Sequence, residues 1–133
     1  MKRNSYQDLG TYAIGDRYPY PYFVFTDKEY DSTHKRLVDV ELDPTNYTAI
    51  KFCARHESNN QDVDDHTKDD IYANLTSDGN GVYHYVFGSD EINKAGKWYV
   101  RIEFERSDGK KFHHEEVWFF DVTNKMPGRF GDL

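Results

Sequence analysis

Apolar and polar residues alternate along most of this chain with a period of two, and no long helical period appears. The run Lys97–Arg106 shows it best: Trp98, Val100, Ile102 and Phe104 fall on one side, Tyr99, Arg101, Glu103 and Glu105 on the other. Successive side chains of a strand point to opposite faces, so this run predicts a half-buried strand with a strong core face. It stops at Ser107-Asp108-Gly109-Lys110, where Asp-Gly supplies the positive φ of a tight hairpin. Lys111–Val122 is then expected to pair back against it.

The same pattern predicts further strands upstream. Thr48–Arg55 alternates Ile50, Phe52 and Ala54 against Ala49, Lys51 and Cys53. The turn Ser77-Asp78-Gly79-Asn80-Gly81 is expected to join Ile71–Thr76 to Val82–Gly88, where Tyr83, Tyr85 and Phe87 share a face. Val38–Leu42 is a short strand stopped before Asp43-Pro44, and Lys28–Leu37 before it reads as a long loop. Tyr20–Thr26 is the first strand; Pro21 cannot donate to a ladder, so it belongs at a sheet edge. Ser89–Asn93 suits one helical turn, capped by Ser89 and closed by Gly96. About seven short strands separated by turns predict an all-β, immunoglobulin-like two-sheet β-sandwich over 14–123. Residues 1–13 and 124–133 read as short terminal arms outside it.

Composition explains how such a domain can hold together. The chain has 133 residues, of which only 37% are hydrophobic and 31% are charged. Eleven Tyr, nine Phe and two Trp compensate, because each buried ring removes a large area from water. The net charge of −7 excludes the clustered basic footprint of a nucleic-acid-binding surface. Between His56 and Asp70 stand Glu57, Asp62, Asp64, Asp65, Asp69 and Asp70 against Lys68 alone, which concentrates the acidity in one segment. A single cysteine, Cys53, leaves no internal disulfide, and its place in an apolar strand pattern predicts a buried, inert thiol. The chain holds no 18-residue apolar run and opens on no signal-peptide pattern, so neither membrane insertion nor secretion is expected.

Several pieces recur in a known order. Ile14-Gly15-Asp16 leads into an aromatic strand, then Val40-Glu41-Leu42-Asp43-Pro44 and Thr48-Ala49-Ile50-Lys51-Phe52. Gly81-Val82-Tyr83-His84-Tyr85-Val86-Phe87, Ala95-Gly96-Lys97-Trp98-Tyr99, Phe104 and Asp108-Gly109-Lys110 follow. The series resembles the N-terminal immunoglobulin-like domain of baseplate upper proteins from tailed phages of Gram-positive bacteria, over roughly Ile14 to Val122. The long Lys28–Leu37 loop and the acidic 56–70 segment depart from that family. The resemblance implies a virion structural protein, made in the host cytoplasm, that attaches one component to another in a tail, baseplate, neck or capsid.

Sites for chemistry are weak in the sequence. Read as an EF-hand from Asp62, the acidic segment places Thr67 and Ala73 where Gly and Glu belong, so a solvated loop or electrostatic surface is favoured over a Ca²⁺ site. His113 and His114 are neighbours on a strand and face apart; His84 could meet one of them, but no third ligand is evident. Glu115 and Glu116 likewise face apart, and no nucleophile, phosphate-loop or dinucleotide motif is present. The expectation is no catalytic residue, metal or cofactor, and hence not an enzyme.

Aromatic surface is the remaining candidate. Val117-Trp118-Phe119-Phe120 would place large apolar groups on both faces of one strand, covered by an arm or by a partner. Tyr12, Tyr18, Tyr20 and Tyr22 form a second cluster. The expected function is therefore docking on a larger symmetric assembly of virion proteins, present in multiple copies, with Tyr18, Tyr20, Tyr22, Trp118 and Phe120 as interface residues. No nucleic acid or membrane partner is expected. The alternatives are a carbohydrate-binding module contacting host cell-wall glycans and, behind it, a small enzyme with a non-motif site.

Overall fold

The computed structural model describes residues 7–59 and 65–124, and among them runs a series of eleven strands. In chain order the first six are β1 (Gln7–Ala13), β2 (Tyr22–Val24), β3 (Thr26–Asp31), β4 (Arg36–Glu41), β5 (Tyr47–His56) and β6 (Ile71–Asn74). They continue with β7 (Thr76–Gly79), β8 (Val82–His84), β9 (Gly96–Arg106), β10 (Lys111–His113) and β11 (Trp118–Thr123). The fold is all-β, an immunoglobulin-like sandwich. The larger sheet runs β1-β11-β9-β5-β6, with β10 also paired to β9. The smaller sheet runs β2-β8-β7, and β3 and β4 form a separate hairpin.

β9 is the central strand because it satisfies both requirements of an interior position: a fully apolar face and ladder partners on both edges. Trp98–Arg106 of β9 pairs with β5, while the strand's two halves pair with β11 and β10 on the other side. Trp98, Val100 and Ile102 are completely buried. The opposing layer is supplied by Phe23 and Phe25 before β3 and by Tyr83, Tyr85 and Phe87 along and after β8, all buried. The two layers meet ring to ring. Phe52 stacks on Tyr85 with centroids 4.3 Å apart, and Phe23 stands edge-on to Trp118 at 5.1 Å. Such pairs add about 0.5–1.5 kcal/mol each beyond the area they bury, which is how a chain poor in aliphatic residues holds a core.

The count exceeds about seven strands because predicted runs are divided. Ile71–Thr76 is one strand by its alternation, yet Leu75 turns into the core and its N–H bonds to the Ile50 carbonyl at 2.8 Å. The chain thereby leaves the larger sheet after β6 and enters the smaller one as β7. Lys111–Val122 is divided too. Four residues, 114–117, stand against two, 101 and 102, so β10 and β11 pair with β9 in registers two residues apart. An offset of two preserves side-chain parity, so His113 stays outward and His114 inward. Lys28–Leu37 is no open loop but most of the β3–β4 hairpin, whose turn is tied by the Asp31 carboxylate accepting from the N–H groups of Thr33 and His34. Ser89–Asn93 forms a turn without helix: Asp90 is left-handed (φ 67°), and the Glu91 carboxylate accepts from the Gly88 N–H and the Tyr85 hydroxyl.

Of the segment 1–13 expected as an arm, Gln7–Ala13 is β1, a parallel strand on the edge of the larger sheet beside β11. Its alternation is weak, which hid it, but Tyr12 is buried against Phe87 and Phe120. The rest of that arm, and residues 125–133 of the C-terminal one, lie outside the described residues. The Pro21 inference holds: β2 is an edge strand.

Candidate functional site

Two surfaces carry side chains that the core does not explain. The first is the outer face of the smaller sheet. Phe23 faces inward from β2, so alternation sends Tyr22 and Val24 out, and they are 60% and 70% exposed. Tyr18 is 72% exposed, and its ring meets that of Tyr20 edge-on at 5.3 Å. Tyr20 in turn stacks on His84 of β8 at 5.3 Å, and Tyr22 lies tilted against the same imidazole at 5.5 Å. His84 is fixed by the Asp78 carboxylate, 2.6 Å from its Nδ1. The result is a semi-rigid aromatic plate, continued by Val86.

Of the five expected interface residues, this face gathers Tyr18, Tyr20 and Tyr22. Trp118 and Phe120 are not at a surface: they are 6% and 0% exposed, in the core against Phe23 and Trp98. The physical reason is parity. Trp118, Phe120 and Val122 are the inward set of β11, and only Phe119 among the large rings points out, with the Lys97 ammonium over it at 4.5 Å.

The second surface is the outer face of the larger sheet, and it is polar but largely buried. Lys51, Cys53 and Arg55 of β5, Arg101 and Glu103 of β9, Tyr72 of β6 and His113 of β10 all project from it by alternation. Residues 65–69, ahead of β6, pack against this face, and a 3₁₀ turn at His66–Lys68 sets His66 onto the sheet. His66 and Glu103 are both only 7% exposed. Asp69, expected to be solvated, has a side chain 1% exposed and binds Arg55 Nε and His66 Nδ1, the latter at 2.7 Å. Asp70 stays exposed, its carboxylate accepting the His56 N–H at 2.8 Å. Asp62 and Asp64 of the acidic segment lie outside the described residues.

Around Glu103 the geometry converges. β10 sets His113 directly opposite Glu103 in the ladder, and His66 Nε2 comes within 2.6 Å of His113 Nε2 and 4.0 Å of Glu103 Oε2. The Tyr72 hydroxyl donates to the other carboxylate oxygen, Oε1, at 2.6 Å, while its ring stacks on His66. Burial, then this bond to Glu103, pushes the Tyr72 phenol well above its usual range, so it stays protonated and a donor. The ligand atoms of His66, Glu103 and His113 all lie within 4.8 Å of one another. Cys53, His66 and Asp69 form a second group within that distance. Cys53 is the buried thiol expected, held protonated by burial first and by the neighbouring Asp69 and Glu103 charges.

Sequence reasoning allowed His84 to meet His113 or His114, but His84 belongs to the tyrosine face. His114 points the other way, among Phe25, Phe104 and Trp118. The signal for the polar cluster was present as charge complementarity: outward cations Lys51, Arg55 and Arg101 on two adjacent strands, and an acidic segment leaving the end of one of them.

No family model matches the chain, and no curated protein matches it. Among solved structures, CopC from Methylosinus trichosporium OB3b is similar in fold, with a TM-score of 0.46 and 11% identity over 92% of this chain and 89% of that one.

Proposed function

We propose that this domain is a docking module of a larger protein assembly, and that the assembly is a phage virion, where the domain attaches through the tyrosine face of its smaller sheet. The observation that carries the docking is the exposed plate of Tyr18, Tyr22 and Val24, backed by Tyr20 and His84. Tyrosine rings give large contact area for the loss of few rotatable bonds, and a contiguous apolar patch on a charged surface marks a contact site. The virion setting rests on the resemblance of the sequence to baseplate upper proteins.

A Tyr18→Ser/Tyr22→Ser/Val24→Ser variant tests it. These side chains are exposed, so the variant should fold with unchanged urea midpoint while its incorporation into particles, or its binding to purified particles lacking the chain, falls at least tenfold. Unchanged incorporation refutes the role of this face. Binding of the wild-type domain to purified cell-wall glycan, lost in the same variant, would instead establish the sugar-binding reading, which the exposed rings of Tyr18 and Tyr22 favour.

A further inference from the structure

We infer that His66, Glu103 and His113 form a three-ligand site for a divalent transition-metal ion of the Zn²⁺ class. The ligands come from three elements that the fold locks together: the 3₁₀ turn at 66–68, β9 and β10. The His113–Glu103 pair is set by ladder register, and only His66 is brought by residues 65–69. The arrangement is independent of the tyrosine face and of the docking reading.

Two of the three ligands, His66 and Glu103, already have the partner that a metal ligand needs behind it. The Asp69 carboxylate accepts from His66 Nδ1, which holds the proton there and turns the Nε2 lone pair toward His113 and Glu103. Asp69 is itself held by Arg55. Tyr72 occupies Glu103 Oε1 and leaves Oε2, the oxygen that faces His66, as the free donor. With Nδ1 protonated and the His66 ring neutral, the 2.6 Å approach of the two Nε2 atoms is a hydrogen bond donated by His113 to His66. An ion replaces that proton. At metal–nitrogen distances of about 2.0–2.1 Å, tetrahedral ligands stand about 3.3 Å apart, so small rotations of the two rings suffice.

The rival group, Cys53 with His66 and Asp69, lacks this readiness. Its thiol is protonated and directed at the Lys51 carbonyl, and its His66 nitrogen and Asp69 oxygens already bind each other and Arg55. It is the support of the site.

Two imidazoles and one carboxylate select borderline ions such as Zn²⁺, Co²⁺ or Cu²⁺, whereas Ca²⁺ and Mg²⁺ require more oxygen ligands. Three protein ligands leave the fourth position to water or to a donor from a bound partner. Lys51 and Arg101 share this face, and their positive charge opposes the ion, so micromolar rather than nanomolar affinity is expected.

The test titrates Zn²⁺ into the full chain after chelator treatment, by calorimetry near neutral pH, and repeats the titration with Co²⁺ to read its visible ligand-field bands. One equivalent should bind, Ca²⁺ should not compete, and His113→Gln and Glu103→Gln should each weaken binding by about tenfold or more. His84→Gln, on the other sheet, should leave it unchanged. Because a variant can fail to fold, imidazole ¹⁵N spectra of the wild-type chain supply a second readout: Zn²⁺ should shift the His66 and His113 ring nitrogens. No binding in the wild type overturns the assignment. So do shifts confined to His34 or His84, or unchanged affinity in both folded ligand variants.

Discussion

Replacing Asp69 by Leu removes the anion that fastens the 65–70 segment to the sheet, and the structure sets the size of the loss. The Asp69 side chain is 1% exposed and binds two donors, Arg55 Nε and His66 Nδ1. Breaking a buried pair from one side typically costs about 3–5 kcal/mol, because the surviving charge stays desolvated. Arg55 is 13% exposed and keeps the bond from Nη2 to the Asp65 carbonyl at 3.0 Å, so the low end applies, about 3 kcal/mol. In a domain of this size that lowers Tm by roughly 10 °C. The decisive comparison is the double variant Arg55→Met/Asp69→Leu. It removes both charges of the pair and leaves the His66 N–H without its acceptor and the Asp65 carbonyl without the Arg55 donor, a loss of about 2 kcal/mol in all. The double variant should therefore be more stable than Asp69→Leu alone. Urea unfolding followed by the fluorescence of the buried Trp98 and Trp118 measures the wild type, Asp69→Leu, Arg55→Met and the double variant, with the slope m held equal. A single-variant loss below about 1 kcal/mol, or a double-variant loss equal to the sum of the singles, would show that the pair does not act as a unit and refute the reasoning.

Two further predictions follow from backbone conformation and from a buried imidazole. Gly81 and Gly109 both have positive φ, but a Cβ on Gly81 would stand 2.6 Å from the Phe25 carbonyl oxygen while Gly109 has open space. Gly109→Ala should cost about 1–2 kcal/mol from strain alone and Gly81→Ala clearly more; equal losses in urea midpoint would show that the close approach to Phe25 is relieved without cost. His114 has its pKa lowered from the usual histidine value by burial first and by Arg101, against the Glu116 and Glu115 charges that raise it. Folding therefore favours its neutral form, and the unfolded chain binds this proton first as pH falls. Its contribution is present above the unfolded value of about 6.5 and is lost as pH falls from there through the lower folded value. The wild type should lose more stability than His114→Gln over that window, and parallel pH profiles would refute it.

The core was legible because it depends on a local rule. Alternation alone put Trp98, Val100, Ile102 and Phe104 on one face, and all four are buried. Asp108-Gly109 was legible as a turn for the same reason, since its conformation is decided within four residues. The same rule misled wherever it was asked about the other face. It labelled Glu103 outward, hence solvated, and outward is correct; solvated is not, because the segment that covers Glu103 is positioned by bonds spanning 14 residues (Arg55 to Asp69) and 47 residues (His66 to His113). It also labelled both faces of 117–120 apolar and inferred a cover, an arm or a partner, when Trp118 and Phe120 serve the core and Lys97 lies over Phe119. Parity says which side of a sheet a residue occupies; whether that side meets water is a property of the chain elsewhere. The residues that decide it here are charged, and charge complementarity carries no period. An acidic stretch is therefore readable as a cover only when matched against outward cations on the strands it leaves, here Lys51, Arg55 and Arg101. Asp69 on Arg55 is the contact where that match is made, so the stability of the Asp69 variants measures the cover itself.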